Sequence, residues 1–313
     1  MFRLRGGKLR QQSLGVEPLE PRCTPAGDVS VVLSGNTLVL NGDAQDNDVL
    51  VQYVEVGQMV FYQVVPGQNG TTLNGDSSPL LFDAESVDNL DIRLNQGNDS
   101  LEISRLGTAS FFLSGNLLVD LGSGDDALTL GDLDIGGSTT ILGRQGNDSL
   151  LLDGTSNFAG PVLLDLAQGN DNLGPVVPSS YTGATFNKSL TILTGAGNDF
   201  ITLGRSGFAT TVSGTLSIQT GAGDDEVFLV ADTIKKLVID TAQGNDRVII
   251  YSSTIQSSAT VLLGAGEDFL DPFMNTFNGP VLYDGGPGTD VFLHPPNSNT
   301  YPPSQPPVVN SFP

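Results

Sequence analysis

Nine aspartates recur along the chain at near-regular intervals: Asp99, Asp126, Asp148, Asp171, Asp199, Asp225, Asp246, Asp268 and Asp290. Each stands two residues after a glycine, and successive separations run from 21 to 28 residues. The residue just before is Asn or Asp in seven copies, which adds second acids at Asp125 and Asp224. If the copies stack as neighbouring strands, their carboxylates lie about 4.8 Å apart. Each pair then repels by about 0.9 kcal/mol in water, or about 3.5 kcal/mol at an effective dielectric of about 20. Something must offset that repulsion. A hard divalent cation held by carboxylates and turn carbonyls would do so, and calcium tolerates irregular oxygen cages better than magnesium. Calcium is therefore the expected ligand, with all eleven of these aspartates as candidate donors. The rival chemistry needs no metal: each aspartate braces its own turn, and Asn98, Asn147, Asn170, Asn198 and Asn245 bridge between turns as an amide ladder.

The residues around each aspartate say what must position it. Two places after it the side chain is always apolar (Leu101, Leu128, Leu150, Leu173, Ile201, Val227, Val248, Leu270, Phe292), and seven places before it again (Ile92 through Tyr283). Nine before it is mostly apolar, Thr139 and Ala259 excepted. Each copy thus reads as strand, tight turn, strand with period-two alternation. A unit of about 22 residues cannot bury its own apolar edge, so copies must stack into a common core. The expected fold is all-β, a right-handed parallel β-helix of nine turns over residues 27–294, each turn holding three short strands. Phe200–Gly204, Ala209–Gly214 and Thr215–Thr220 would form one such set, and the longer copies would carry loop insertions, one of them Pro175 to Thr185. A tenth, degenerate copy is read at Asp48, with about two turns between it and Asp99. Only Asp232 to Leu237 reads as helical, and it is too short to matter.

The repeat resembles the haemolysin-type (RTX) calcium repeats, whose unit is Gly-Gly-x-Gly-x-Asp-x-apolar-x. Gly285-Gly-Pro-Gly-Thr-Asp290-Val-Phe-Leu293 matches it in full, and Thr194-Gly-Ala-Gly-Asn-Asp199 and Thr220-Gly-Ala-Gly-Asp-Asp225 lack only the first glycine. The resemblance implies ions enclosed between stacked turns by backbone carbonyls and the aspartate. Two departures stand against it. The loops recur every 21–28 residues rather than as tandem nonapeptides, and four replace the second glycine with Asn95, Arg144, Ala167 and Ala242. Arg144 would put a cation in the column. Near the other end, Val16 to Ala26 resembles a short N-terminal motif of bacterial surface and secreted proteins, through Leu19-Glu20-Pro21-Arg22. That resemblance implies export or surface sorting, although the residues after Arg22 depart from the usual Leu-Leu pair.

Charge narrows the partners. The chain carries −22, and residues 1–26 hold five of its thirteen bases, leaving eight bases against thirty-three acids in the remainder. Such a body repels nucleic acid and anionic lipid. Its partners are cations, with a cell-surface or extracellular polysaccharide or protein as the adhesive target. No apolar run is long enough to span a bilayer. Cys23 is the sole cysteine and lies outside the repeats. Residues 295–313 are rich in proline and expected to be extended and unpacked. Catalysis is not expected. Glycoside chemistry needs a singled-out pair of carboxylates, whereas these are equivalent, and His294, the one histidine, reads as a cap on the last turn. A carbohydrate-active enzyme is the alternative, with its cleft sought in the longer turns at Asn172–Thr185 and Arg205–Ser213.

Overall fold

The structure is a computed structural model that describes residues 27–107, 111–175, 183–293 and 298–312. It is a parallel β-solenoid of about nine turns at a spacing near 23 residues. Among the described residues the strands fall into two sheets, of eighteen and twelve strands. The strand that follows each aspartate belongs to the twelve-stranded sheet, in which Ser100–Arg105, Ala127–Gly131, Ser149–Asp153, Asn172–Pro175, Phe200–Leu203, Glu226–Val230, Arg247–Tyr251 and Phe269–Phe273 pair in parallel from coil to coil. The strands that precede each turn, such as Leu117–Ser123 and Thr139–Gln145, pair in parallel in the other sheet. The segregation follows from alternation. Leu101 and Leu128 are buried, as are Leu150, Leu173, Ile201, Val227, Val248 and Leu270, and so are the residues seven and nine before each aspartate, Thr139 and Ala259 included. Identical registers stack these positions into one continuous core,.

Three details depart from the sequence reading. The two strands expected at Ala209–Gly214 and Thr215–Thr220 are one strand, Thr211–Gln219, with a register shift between Val212 and Thr215. The segment read as helical is strand Thr233–Asp240, because burial of Ile234, Leu237 and Ile239 outweighs local propensity,. The stretch between Asp48 and Asp99 is not two turns. Asp48–Val56 pairs in parallel directly with Ser100–Arg105 and folds back antiparallel on Met59–Pro66, which pairs antiparallel with Leu80–Asp83. With Asp28–Ser34 and Thr37–Asn41, also antiparallel, this insertion closes the first coil.

The proline-rich tail is also corrected. Residues 298–312 lie across the last coil, with Val308–Asn310 pairing with Val281–Asp284, Tyr301 stacked on Phe277 at 5.2 Å, and Phe312 against Phe292 at 5.2 Å. Prolines cannot donate to a ladder, yet the aromatic residues between them cover an end that would otherwise be open. Residues 1–26, with Cys23 and the Leu19-Glu20-Pro21-Arg22 motif, lie outside the described residues, as do His294 and most of the insertion expected at Pro175–Thr185. No described helix is long and apolar enough to cross a membrane.

Candidate functional site: a buried aspartate ladder

The tight turn brings the nine aspartates together in one line, facing inward. All are buried, at 1–2% exposure. Their Oδ1 atoms accept main-chain N–H bonds from the coil before: Asp99 N donates to Asp126, Asp126 to Asp148, Asp148 to Asp171, Asp171 to Asp199, Asp199 to Asp225, Asp225 to Asp246, Asp246 to Asp268 and Asp268 to Asp290, at 2.7–3.0 Å. The first rung is Asn47, whose main-chain N–H donates to Asp99 Oδ1 at 2.7 Å. The degenerate copy is therefore in register through Asn47, not Asp48, a one-residue correction that Asp48 pairing with Ser100 also requires.

The residues one place earlier form a second, exposed ladder of opposite polarity. Asp125 N donates to Asn98 Oδ1, Asn147 N to Asp125, Asn170 N to Asn147, Asn198 N to Asn170, Asp224 N to Asn198, and Asn245 N to Asp224. Adjacent side chains thus reach in opposite axial directions, and each coil is tied to both neighbours. Asp125 and Asp224 also accept from the side-chain amides of Asn147 and Asn245. They belong to this outer ladder and do not converge on the inner carboxyls.

Turn geometry explains the glycines. Four residues before each aspartate φ is positive in all nine copies, including Asn95 (77°), Arg144 (84°), Ala167 (70°) and Ala242 (65°). Two before, a Cβ on any of the glycines from Gly124 onward would collide with the carbonyl oxygen of its counterpart one coil earlier. Arg144 does not enter the aspartate column. Its guanidinium turns outward and grips Asp120 with two bonds, Nε–Oδ1 at 3.0 Å and Nη2–Oδ2 at 2.8 Å.

The second carboxyl oxygen, Oδ2, is buried without a hydrogen-bond partner in all nine. The residue five before the aspartate stands against it. A Cβ on Gly143 or Gly285 would run into Oδ2 of Asp148 or Asp290, and the hydroxyls of Thr194, Thr220 and Thr241 sit beside Asp199, Asp225 and Asp246. In four coils the same place holds buried Leu94, Leu121, Leu166 or Leu263. Desolvation accordingly raises the carboxyl pKa values: to about 6 for Asp99, Asp148, Asp225 and Asp268, and to about 7 for Asp126, Asp171 and Asp246. Asp199 moves in the same direction. The hydroxyls of Thr194, Thr220 and Thr241, and the main-chain N–H bonds in each of these coils, pull the other way and lose,.

Beyond the ladder bonds each coil offers one carboxyl oxygen, Oδ2, turned toward leucine, threonine or the space above a glycine; turn carbonyls would have to supply the rest of the six to eight oxygens that calcium takes. Among the described residues no group of three or more carboxylate, histidine or cysteine side chains gathers around a point.

Two features escaped the repeat alignment. At another corner Thr210 N donates to Asp232 Oδ1, Asp232 N to Ser253 Oγ, Ser253 N to Asn275 Oδ1, and Asn275 N to Asn299 Oδ1. Asp232, Ser253 and Asn275 each lie seven residues after a ladder aspartate, a spacing visible in the sequence. The outer face of the twelve-stranded sheet also changes character. It shows Ser100, Glu102, Ala127 and Thr129 in early coils but Phe200, Phe228, Ile249, Tyr251, Phe269 and Phe273 in later ones. Phe200 and Phe228 rings lie 5.4 Å apart, Tyr251 and Phe273 5.8 Å, and the Arg247 guanidinium sits 5.2 Å from Phe228 and 5.7 Å from Phe269. The loop at Arg205–Ser213, sought as a cleft, closes on itself through paired main-chain bonds between Arg205 and Phe208. Fold and site together define an acidic parallel β-solenoid built around an internal carboxyl ladder. Comparison with protein-family models, curated proteins and solved structures gives no match.

Proposed function

We propose that the chain is an exported or cell-surface structural solenoid with an adhesive face, and that its aspartate column is a hydrogen-bonded spine that needs no metal. The observation that carries this reading is the unbroken inner ladder. From Asp99 to Asp290 each Oδ1 already holds a main-chain N–H, and none of the nine carboxyls is set apart by a neighbour that would give it a reaction to perform. The resemblance of Leu19-Glu20-Pro21-Arg22 to a surface and secretion motif supports export. The adhesive surface is the aromatic strip on the later coils, where Phe200, Tyr251, Met274 and Val291 are more than a third exposed. Flat apolar strips of this kind mark partner sites, and the partner here is an extracellular polysaccharide or protein.

The deciding experiment is a thermal melt of the full chain in EGTA and across a calcium titration, with magnesium as control. The expected midpoint is the same in all three. A midpoint that climbs with calcium and not with magnesium would mean the folded state binds the ion selectively, and the calcium cage would replace the metal-free spine. Adhesion is tested by binding of the protein to purified cell-surface polysaccharides and to intact cells. Phe228→Ser combined with Tyr251→Ser should abolish retention while leaving the melt unchanged.

A further inference from the structure

The antiparallel insertion that closes the first coil overhangs the neighbouring strand Phe111–Leu113 and leaves a pocket of about 460 Å³ between them. Its apolar lining includes Tyr53, Met59, Val60, Tyr62, Val87 and Phe112. Tyr62 is buried, its hydroxyl donates to the Phe112 carbonyl oxygen, and its ring meets Tyr53 edge-on at 5.3 Å and Phe111 at 5.4 Å. The rings are therefore held in place by the fold. Phe112 itself is 48% exposed and Met59 54%. Neither is needed to fill the core.

The polar groups on the lining are of one sign. Asp83, Glu85 and Asp88 stand on it with Gln58 and Ser114, and among the described residues no lysine, arginine or histidine does. Asp88 accepts from the Asn36 side-chain amide and from the Ser114 hydroxyl at 2.9 Å. Those bonds hold its pKa below the usual carboxylate value, so it is an anion across the neutral range. An anionic ligand is opposed here by three carboxylates and by a chain of net charge −22,. A neutral ligand would gain nothing from the negative potential of the three carboxylates. A hydrated metal ion would leave the aromatic and aliphatic wall unused. A weakly hydrated organic cation uses both, its charge facing the acids and its alkyl surface lying on ring faces.

We propose that this pocket binds a small quaternary ammonium ion, with Tyr53, Met59 and Phe112 as walls, buried Tyr62 holding them in place from behind, and Asp83, Glu85 and Asp88 as counter-charges. The site is separate from the spine and from the aromatic strip, and it stands or falls independently of them.

Calorimetric titration of the full chain at fixed ionic strength tests it, with three probes: choline, its uncharged isostere 3,3-dimethylbutan-1-ol, and ethylammonium. Choline is expected to bind saturably at one site, ethylammonium more weakly because its compact charge holds water harder, and the alcohol not measurably. Phe112→Ala and Glu85→Gln should each weaken choline about 2- to 30-fold. Both side chains are on the surface, and an unchanged melt without ligand shows that the fold is intact. Met59→Ala is the second wall variant should Phe112→Ala disturb the strand. No saturable choline binding up to about 100 mM overturns the proposal. Equal binding of the alcohol does so as well, and so do equal binding of ethylammonium and unchanged affinity in every variant.

Discussion

A buried carboxyl with one oxygen on a main-chain N–H and the other against leucine or threonine is least costly to fold when protonated, since desolvation penalises only the charged form. The ladder therefore needs an acceptor at Oδ1 far more than it needs a charge. Asn47 ends the ladder purely as a donor, its main-chain N–H and its side-chain Nδ2 both reaching Asp99 Oδ1, whereas an asparagine within the column would offer its own Oδ1 as the acceptor. Asp199→Asn should keep the acceptor for the Asp171 N–H and place its new N–H beside the Thr194 hydroxyl. Denaturant unfolding at pH 8 should find this variant at least as stable as the parent, because burial raises the Asp199 pKa and penalises its charged form,. The advantage should shrink as the pH is lowered to 5. Asp199→Ala strands the buried Asp171 N–H and should lose about 1–3 kcal/mol at both pH values. An asparagine variant as damaged as the alanine one would mean that the negative charge itself is required, as a metal ligand requires it.

At the scale of the turn, two backbone constraints of different strength act two residues apart. Four residues before the aspartate φ is positive, and a Cβ on Gly122, Gly195, Gly221, Gly264 or Gly286 would meet a carbonyl oxygen of the coil before; yet Asn95, Arg144, Ala167 and Ala242 show that the turn can shift to take a side chain there, at a backbone cost of about 1–2 kcal/mol. Two before, the coil beneath leaves no room for a Cβ at all. Ala167→Gly should thus stabilise by about 0.5–1 kcal/mol, whereas Gly223→Ala, aimed at the Gly197 carbonyl oxygen, should cost about 3 kcal/mol or more. Paired melts check both, and a tolerated Gly223→Ala would sink the close-stacking account. This difference is also why the repeat was legible: a position that admits only glycine shows in every copy, and so do core positions such as Ile92 and Leu101. The antiparallel insertion and the ordered tail were not legible, because each occurs once and is specified by contacts such as Tyr301 on Phe277 rather than by period. The site was half legible. Alignment found the nine aspartates, but whether they face a cation or the core depends on which residue stands opposite Oδ2, a relation between strands that no spacing reveals.

For the whole molecule, the ladder makes stability fall as pH rises, the reverse of the usual carboxylate behaviour. An aspartate titrates near 3.9 in the unfolded chain but at about 6 to 7 in most of these rungs. A folded-state value above the unfolded one means that the folded state holds protons more tightly. Its contribution is complete below about pH 4 and is lost as pH climbs through 6 and 7. Asp76 and Asp88, whose values are lowered by hydrogen bonds from Ser78 and Asn36, act oppositely, but their contribution is lost only below the ordinary aspartate range. Relief of the −22 charge on acidification works with the ladder. The melting midpoint in EGTA should therefore peak near pH 4–5 and drop toward pH 8. Each 1 kcal/mol lost across that range lowers the midpoint by roughly 2–4 °C. The sign of this slope separates the two accounts of the column. Calcium would need the carboxylates ionised, so that with millimolar calcium present the midpoint would rise with pH. A spine of shared main-chain N–H bonds keeps the downward slope whether or not calcium is added.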